Sequence, residues 1–275
     1  MAEFRLAEPL AALSVATDLA RGQPPEQALY ASIIAARLAD YLGLGATERS
    51  NDYYATLLRF AGCTATSHEY SLLLGGNDIT VRFAGDATDI ADIDELLQFL
   101  TNVGKTPDAL QDAVVVVTEG TRADCEVGAR MATRLGLGTE VSDSLLHIFE
   151  RWDGHGLPNG VAGEDIPEFA RMGHVATAAV MFSQAKGTEE ALKIVRRWSG
   201  RALDPDITAA FMSHADELMS CLQLPDAWHG ALLEEPPPWK LVADEGLDDI
   251  CRVWRLCRFE DTIPARPFSS CRATR

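Results

Sequence analysis

The side chains best able to do chemistry are crowded into Glu150-Arg151-Trp152-Asp153-Gly154-His155-Gly156-Leu157-Pro158. Carboxylates, a guanidinium, an indole and an imidazole meet there, where glycines and a proline break a helical pattern. Such a junction can form a binding rim, or it can cap a helix and turn the chain. Arg151, Trp152 and Asp153 accordingly read in two ways. They line a ligand pocket, or Trp152 packs while Asp153 accepts from loop amides, and the turn is the favoured reading. His147 can be a displaced metal ligand or a helix-face histidine against the core. His68 and Glu69 are adjacent, so on a helix they cannot both face one metal. His174 lies among apolar residues of a long helical pattern and is read as facing the core or its edge. Arg59 stands inside an apolar helix, where a buried guanidinium demands a partner. No G-x-x-x-x-G-K-[ST] loop, G-x-S-x-G elbow or C-x-x-C pair occurs.

Nearly all the elements that must position these residues read as helices. Patterns over Leu10–Leu19, Glu26–Leu42 and Thr47–Ala61 open the chain, followed by a short one over Glu69–Leu74. Ile79 to Phe83 alternates like a strand but has no evident partner, and is read as extended loop. Asp89–Val103 carries one apolar stripe. Ala109–Val117 holds four consecutive valines, and helix is preferred there to strand. Arg122–Leu135 and Thr139–Trp152 then lead into the crowded junction. Pro167 opens a helix through Phe182, Thr188 is read as a cap, and Asp204-Pro205 is a cap followed by proline at the first turn. That helix is expected to run through Leu222, with a short one from Pro225 to Leu233. Pro236-Pro237-Pro238 is a stiff connector to a last helix over Glu245–Phe259. The remainder is aperiodic. The expected architecture is an all-α bundle with little or no strand, divided into 1–233 and an appendage over 234–275.

The 275 residues carry 24 Lys plus Arg against 41 Asp plus Glu, a formal charge of −17. That field repels polyanions and argues against nucleic-acid binding, which rests on cations neutralising phosphates. No apolar run reaches the length of a membrane span, and no signal-peptide pattern is read at the start. Six cysteines without metal or paired spacing fit reduced thiols. A cytoplasmic protein with no membrane partner is expected.

The second half resembles the HD-GYP family of HD metal-dependent phosphohydrolases. The resemblance is carried by Glu150-Arg151-Trp152-Asp153-Gly154 with Gly156-Leu157-Pro158, then by Gly163-Glu164-Asp165-Ile166-Pro167, Ala170-Arg171, Glu189 to Leu192, Ser199-Gly200 and Asp204-Pro205 to Phe211. It implies an all-α fold that binds two or three metals and hydrolyses phosphodiesters, notably cyclic di-GMP. The metal-binding pattern is altered. Where the family has H-D-x-G-K, this chain reads Arg59-Phe60-Ala61-Gly62-Cys63. Asp124 stands for a histidine, Ile148 and Phe149 for the paired histidines before Glu150, Thr177 and Val180 for two aspartates, and Leu157 for a tyrosine. Larger proteins similar to this one place an altered HD segment ahead of an intact HD-GYP domain, and Asp261 to Ser270 resembles the linker into it.

The resemblance with these departures leads to a first reading: a non-catalytic regulatory or interaction module needing no cofactor and no metal. It would bind a protein partner, a second copy of itself or a small ligand in a remnant cleft of Arg59, Asp124, His147, Glu150 and Asp153. The motif turn is Arg151, Trp152, Gly154, Gly156 and Pro158. Arg59 is expected to pair with Asp124 or Asp153, and apolar side chains to fill the old metal cavity. The second reading is a metal-dependent phosphohydrolase, using manganese or iron, with a site rebuilt from Asp124, His147, Glu150, Asp153 and His68.

Overall fold

The computed structural model describes residues 4–64, 66, 85–89, 91–102, 110–243 and 247–256. The expected elements at Glu69–Leu74 and Ile79–Phe83, His68 and the C-terminal tail lie outside them. The fold is all-α. Its helices are α1 (Ala7–Ala20), α2 (Gln27–Tyr41), α3 (Ala46–Leu57), α4 (Ile93–Asn102), α5 (Leu110–Arg134), α6 (Thr139–Leu146), α7 (Glu168–Lys186), α8 (Thr188–Trp198), α9 (Pro205–Ser213), α10 (Ala215–Met219), α11 (Ala227–Glu234) and α12 (Leu247–Leu256). Two-residue strands β1 (Phe4–Arg5) and β2 (Leu241–Val242) pair antiparallel, with Phe4 opposite Val242. Among the described residues no helix is long and apolar enough to cross a membrane.

Helices α2 and α7 form the centre, and α3 packs against both. They can be central because small residues let helices approach closely while apolar residues point to every side. Ile33, Ile34 and Leu38 of α2 are fully buried, as are Met172, Val175, Ala176 and Ala179 of α7. A helix hydrophobic on several faces belongs inside. Helices α5 and α6 pack together at one side, and α8 lies along α7.

The helix starts follow local chemistry. Asp204 caps α9 by accepting from the N–H groups of Asp206 at 2.8 Å and Ile207 at 3.1 Å, with Pro205 in the first turn. At α3 the expected Thr47 cap is displaced. Gly45 takes the position, and Glu48 reaches back to its N–H at 2.7 Å. Thr188 is likewise inside α8, with Gly187 as the flanking residue.

Three helix boundaries differ from the sequence pattern. The valine run and Arg122–Leu135 join in one helix, α5. The helix expected through Leu222 breaks after Ser213 into α10 and a 3₁₀ turn over Ser220–Gln223. The helix before the crowded junction stops at Leu146 instead of running to Trp152. This last break puts Glu150 on a loop. The loop folds back so that Leu157 N–H reaches the Phe149 carbonyl at 3.0 Å and the Glu150 carboxylate collects two further amides.

Candidate functional site

Two turns and a helix face build the site. The first turn follows α3 and carries Arg59 and Phe60. Gly62 lets it press against α5: a Cβ at this position would stand 2.0 Å from the Asp124 carbonyl oxygen and 2.7 Å from Gly128 N. The second turn, His147 to Asp153, leaves α6. Gly156 allows it to close, because a Cβ there would lie 2.4 Å from Arg151 N and 2.5 Å from Glu150 Cα. The helix face is α7, which contributes His174 and Thr177. Between them lies a cavity of about 170 Å³ lined by Arg59, Phe60, Phe149, Glu150, Arg151 and His174, among others.

Arg59 is the unusual group. Its Nη2 donates to the Ile148 carbonyl, while its Nε has no hydrogen-bond partner. Burial lowers its pKa, the charge of Arg21 lowers it further, and the guanidinium falls to about 9. The expected ion pair with Asp124 or Asp153 is not formed. Asp124 accepts from Thr66 Oγ1 at 2.7 Å, and Asp153 receives both Nε and Nη2 of Arg151, at 3.0 and 2.7 Å. Geometry decides this: the turn after α3 faces the backbone of Ile148, and Asp153 is already claimed within its own loop.

Phe60 separates two cations. The Arg21 guanidinium stacks on its ring at 3.6 Å from the centroid, and Arg59 lies 5.2 Å from the same ring. Arg21 is in turn paired with Asp86, which also accepts from Gln23 Nε2 at 2.9 Å. The apolar filling expected from Ile148 and Phe149 is partial. Ile148 is buried and Phe149 packs 6.2 Å from the Phe60 ring, yet the cavity remains.

Around the second turn the charges are closely matched. Glu150 accepts from Asn159 N–H at 2.9 Å and Val161 N–H at 3.0 Å. Arg151 bridges Asp153 and the buried Asp89, the latter at 2.9 Å, and Arg201 reaches Asp89 at 3.0 Å. Burial pushes the Asp153 carboxyl up, but hydrogen bonds from Arg151 and the His155 N–H outweigh it and hold the group below its usual range. Trp152 N–H donates to the Ala202 carbonyl at 3.2 Å, and Gly154, at φ +75°, donates to the Arg151 carbonyl at 2.9 Å. Pro158 is half-buried in the same loop. His174 is buried and held well below its ordinary pKa by burial and then by Arg59, so the imidazole is neutral; its Nε2 lies 3.2 Å from the His147 carbonyl. His147 places Nδ1 2.8 Å from the Asp143 carbonyl.

The structure therefore brings Arg59, Glu150 and Arg151 to one cavity. Asp124, His147 and Asp153 are held elsewhere by other partners. Sequence reasoning missed Arg21, Asp86 and Asp89. Arg21 reads as part of a helix break, and neither aspartate carries a local signal.

A metal does not fit these residues. Among the described residues no group of three or more His, Cys, Asp or Glu side chains could hold one. The cavity instead presents a guanidinium, which would repel a divalent ion.

Residues 121–207 match the family described as HD domain. The 3′3′-cGAMP-specific phosphodiesterase 3 of Vibrio cholerae serotype O1 is 27% identical over 216 residues. That alignment spans 74% of this chain and 46% of the relative, so the chain corresponds to about half of the relative's length. A crystal structure of a cyclic GMP-AMP-specific phosphodiesterase from V. cholerae has the same fold, with a TM-score of 0.72 at 23% identity, over 93% of this chain and 60% of that one. These relationships correct two expectations. The reading as a non-catalytic module gives way, because the curated relative is a phosphodiesterase. The expectation of no cofactor falls with it, since the HD class to which the chain is related is metal-dependent.

Proposed function

We propose that this chain is part of an HD-class phosphodiesterase, of the HD-GYP branch, that hydrolyses a phosphodiester bond of a 3′3′-cyclic dinucleotide. The single observation that carries the reading is the 27% identity over 216 residues to a 3′3′-cGAMP-specific phosphodiesterase, in a chain that also matches the HD domain over 121–207. In the reaction water adds across one P–O bond and a linear dinucleotide with a terminal phosphate results. A divalent metal in this class activates the water and neutralises phosphate charge. The described cavity does not supply its ligands, so no step is assigned to Glu150 or His174 through a metal. What this chain's own residues offer there is a cation. Arg59 is placed to meet a phosphate, and Arg151 is fixed by Asp89 and Asp153 at the cavity edge.

The test is turnover of 3′3′-cGAMP and of cyclic di-GMP by the purified chain, with manganese or with iron, followed by separation of linear from cyclic dinucleotide. Appearance of the linear product is the expected result, and its loss with a chelator would place the metal's ligands outside the cavity described above. A folded chain that leaves both substrates intact under every metal would overturn the proposal.

A further inference from the structure

We propose that the cavity at Arg59 is an oxyanion site that takes a phosphate group directly on protein cations. Turnover is not needed for this inference, because phosphate can be held without being transferred. The cavity contains a guanidinium nine-tenths buried, whose Nε donor is unanswered. Among the described residues no carboxylate forms an ion pair with Arg59; its hydrogen bond goes to the neutral carbonyl of Ile148. A second unanswered donor belongs to Arg21, whose Nη1 is likewise buried without a partner. The two cations share the Phe60 ring, and their mutual repulsion contributes to the lowered pKa of Arg59. Buried donors are normally satisfied, and buried cations are normally paired. At Arg59 both rules are broken at the cavity wall, and a bound oxyanion would restore both; Arg21 stands behind Phe60, paired with Asp86, and does not line the cavity.

The nearby acids do not fill this role. Asp86 is committed to Arg21 and Gln23, and Glu150 to the amides of Asn159 and Val161. His174 is neutral and adds no charge. Size limits the ligand. About 170 Å³ is below the ~300 Å³ at which small-molecule pockets begin, and it equals the liquid share of only several waters. A phosphate group fits and a whole dinucleotide does not. The half-buried Gly85, Asp86, Thr88 and Phe149 line the cavity where it meets solvent, so the rest of a nucleotide would lie outside. The choice of phosphate over a carboxylate rests on the proposed function, because a cyclic dinucleotide brings phosphate groups to the open donor of Arg59.

The experiment uses the full chain freed of metal by a chelator, so that no metal-phosphate contact contributes. Titration calorimetry and thermal melting are followed with inorganic phosphate, with a nucleoside 5′-monophosphate, and with chloride at matched ionic strength. Wild-type protein is expected to show a saturable rise in melting temperature with phosphate. Arg59→Met, which keeps an apolar stem and removes the cation, is expected to bind at least about ten-fold more weakly while melting no lower than wild type in chloride. Arg252→Met, on the distant α12, serves as a control and should respond like wild type. Competition between phosphate and the monophosphate assigns the site to the phosphoryl group of a nucleotide; binding of inorganic phosphate alone assigns it to the free ion. If Arg59→Met does not fold, Arg59→Lys takes its place. It keeps the charge, loses the fork of donors, and is expected to bind several-fold more weakly. No response in wild type beyond that in chloride overturns the inference, as does an affinity unchanged in the Arg59 variant.

Discussion

Two buried charges in this molecule are treated in opposite ways. Glu235 has no exposed side-chain surface, and its carboxylate receives Tyr54 Oη at 2.5 Å and Arg5 Nε at 2.5 Å. Arg5 goes on to the Leu232 carbonyl and lies 4.2 Å from the centroid of the Trp239 ring. The clamp ties β1, α3 and the residues after α11 into one packed corner, next to the β1–β2 pair. Arg59, by contrast, keeps one carbonyl contact and an unanswered Nε beside a cavity. Desolvation is costly for both groups. A buried charge with a full set of partners holds a fold together, whereas one left short beside open space is suited to a ligand.

Removing the answered charge should have the largest effect. Glu235→Ala leaves Arg5 and Tyr54 without their acceptor, and is expected to lower stability by about 3–5 kcal/mol, the range for breaking a buried pair. Denaturant melts check this, with Glu235→Gln recovering the Tyr54 bond and part of the loss. A smaller effect is expected at the loop. Glu150→Ala strands the N–H groups of Asn159 and Val161 and should cost about 2 kcal/mol. Limited proteolysis would show cutting gained between Glu150 and Val161. A loss at Glu150 as large as that at Glu235 would blur the distinction between corner and loop.

The fold class was legible because it rests on periodicity and punctuation. Asp204-Pro205 marks a helix start that the structure keeps, since a cap and its proline act within three residues. The break after Leu146 was not legible. What accompanies that break is the return of the 157–161 chain, whose backbone amides meet the Phe149 carbonyl and the Glu150 carboxylate, a contact that the apolar periodicity does not spell. The pairing of β1 with β2 failed to show for a related reason, as two residues are too few to reveal a period of two. At the site, Arg59 and Phe60 were visible as replacements in a recognisable position. The partner of Arg59 was not, because it is a carbonyl 89 residues away. The replacements were also given too much weight for activity: lost ligands in one cavity do not decide what the larger relationship implies.

Asp18 lies between the two extremes and allows the finest test. Its Oδ2 accepts from Ala28 N–H at 3.1 Å, so it joins α1 to the start of α2, while Oδ1 has no partner. Burial raises its pKa from 3.8 to about 7 against the lowering effects of that amide and of Arg21. The folded protein then holds a proton that the unfolded chain releases above pH 3.8. The stabilisation is complete below that pH and is lost as pH rises to about 7, with a slope of at most about 1.4 kcal/mol per pH unit from this group. Asp18→Asn keeps an oxygen for Ala28 and has nothing to titrate. Its stability, measured by denaturant midpoints between pH 4 and 8, should fall less steeply across that window than that of wild type, and the variant should match or exceed wild type at pH 8. Parallel curves for the two proteins would mean that Asp18 is ionised in the folded state. In that case its single amide and Arg21 would be enough to answer a buried carboxylate, and the number of partners that divides Glu235 from Arg59 would have to be set lower.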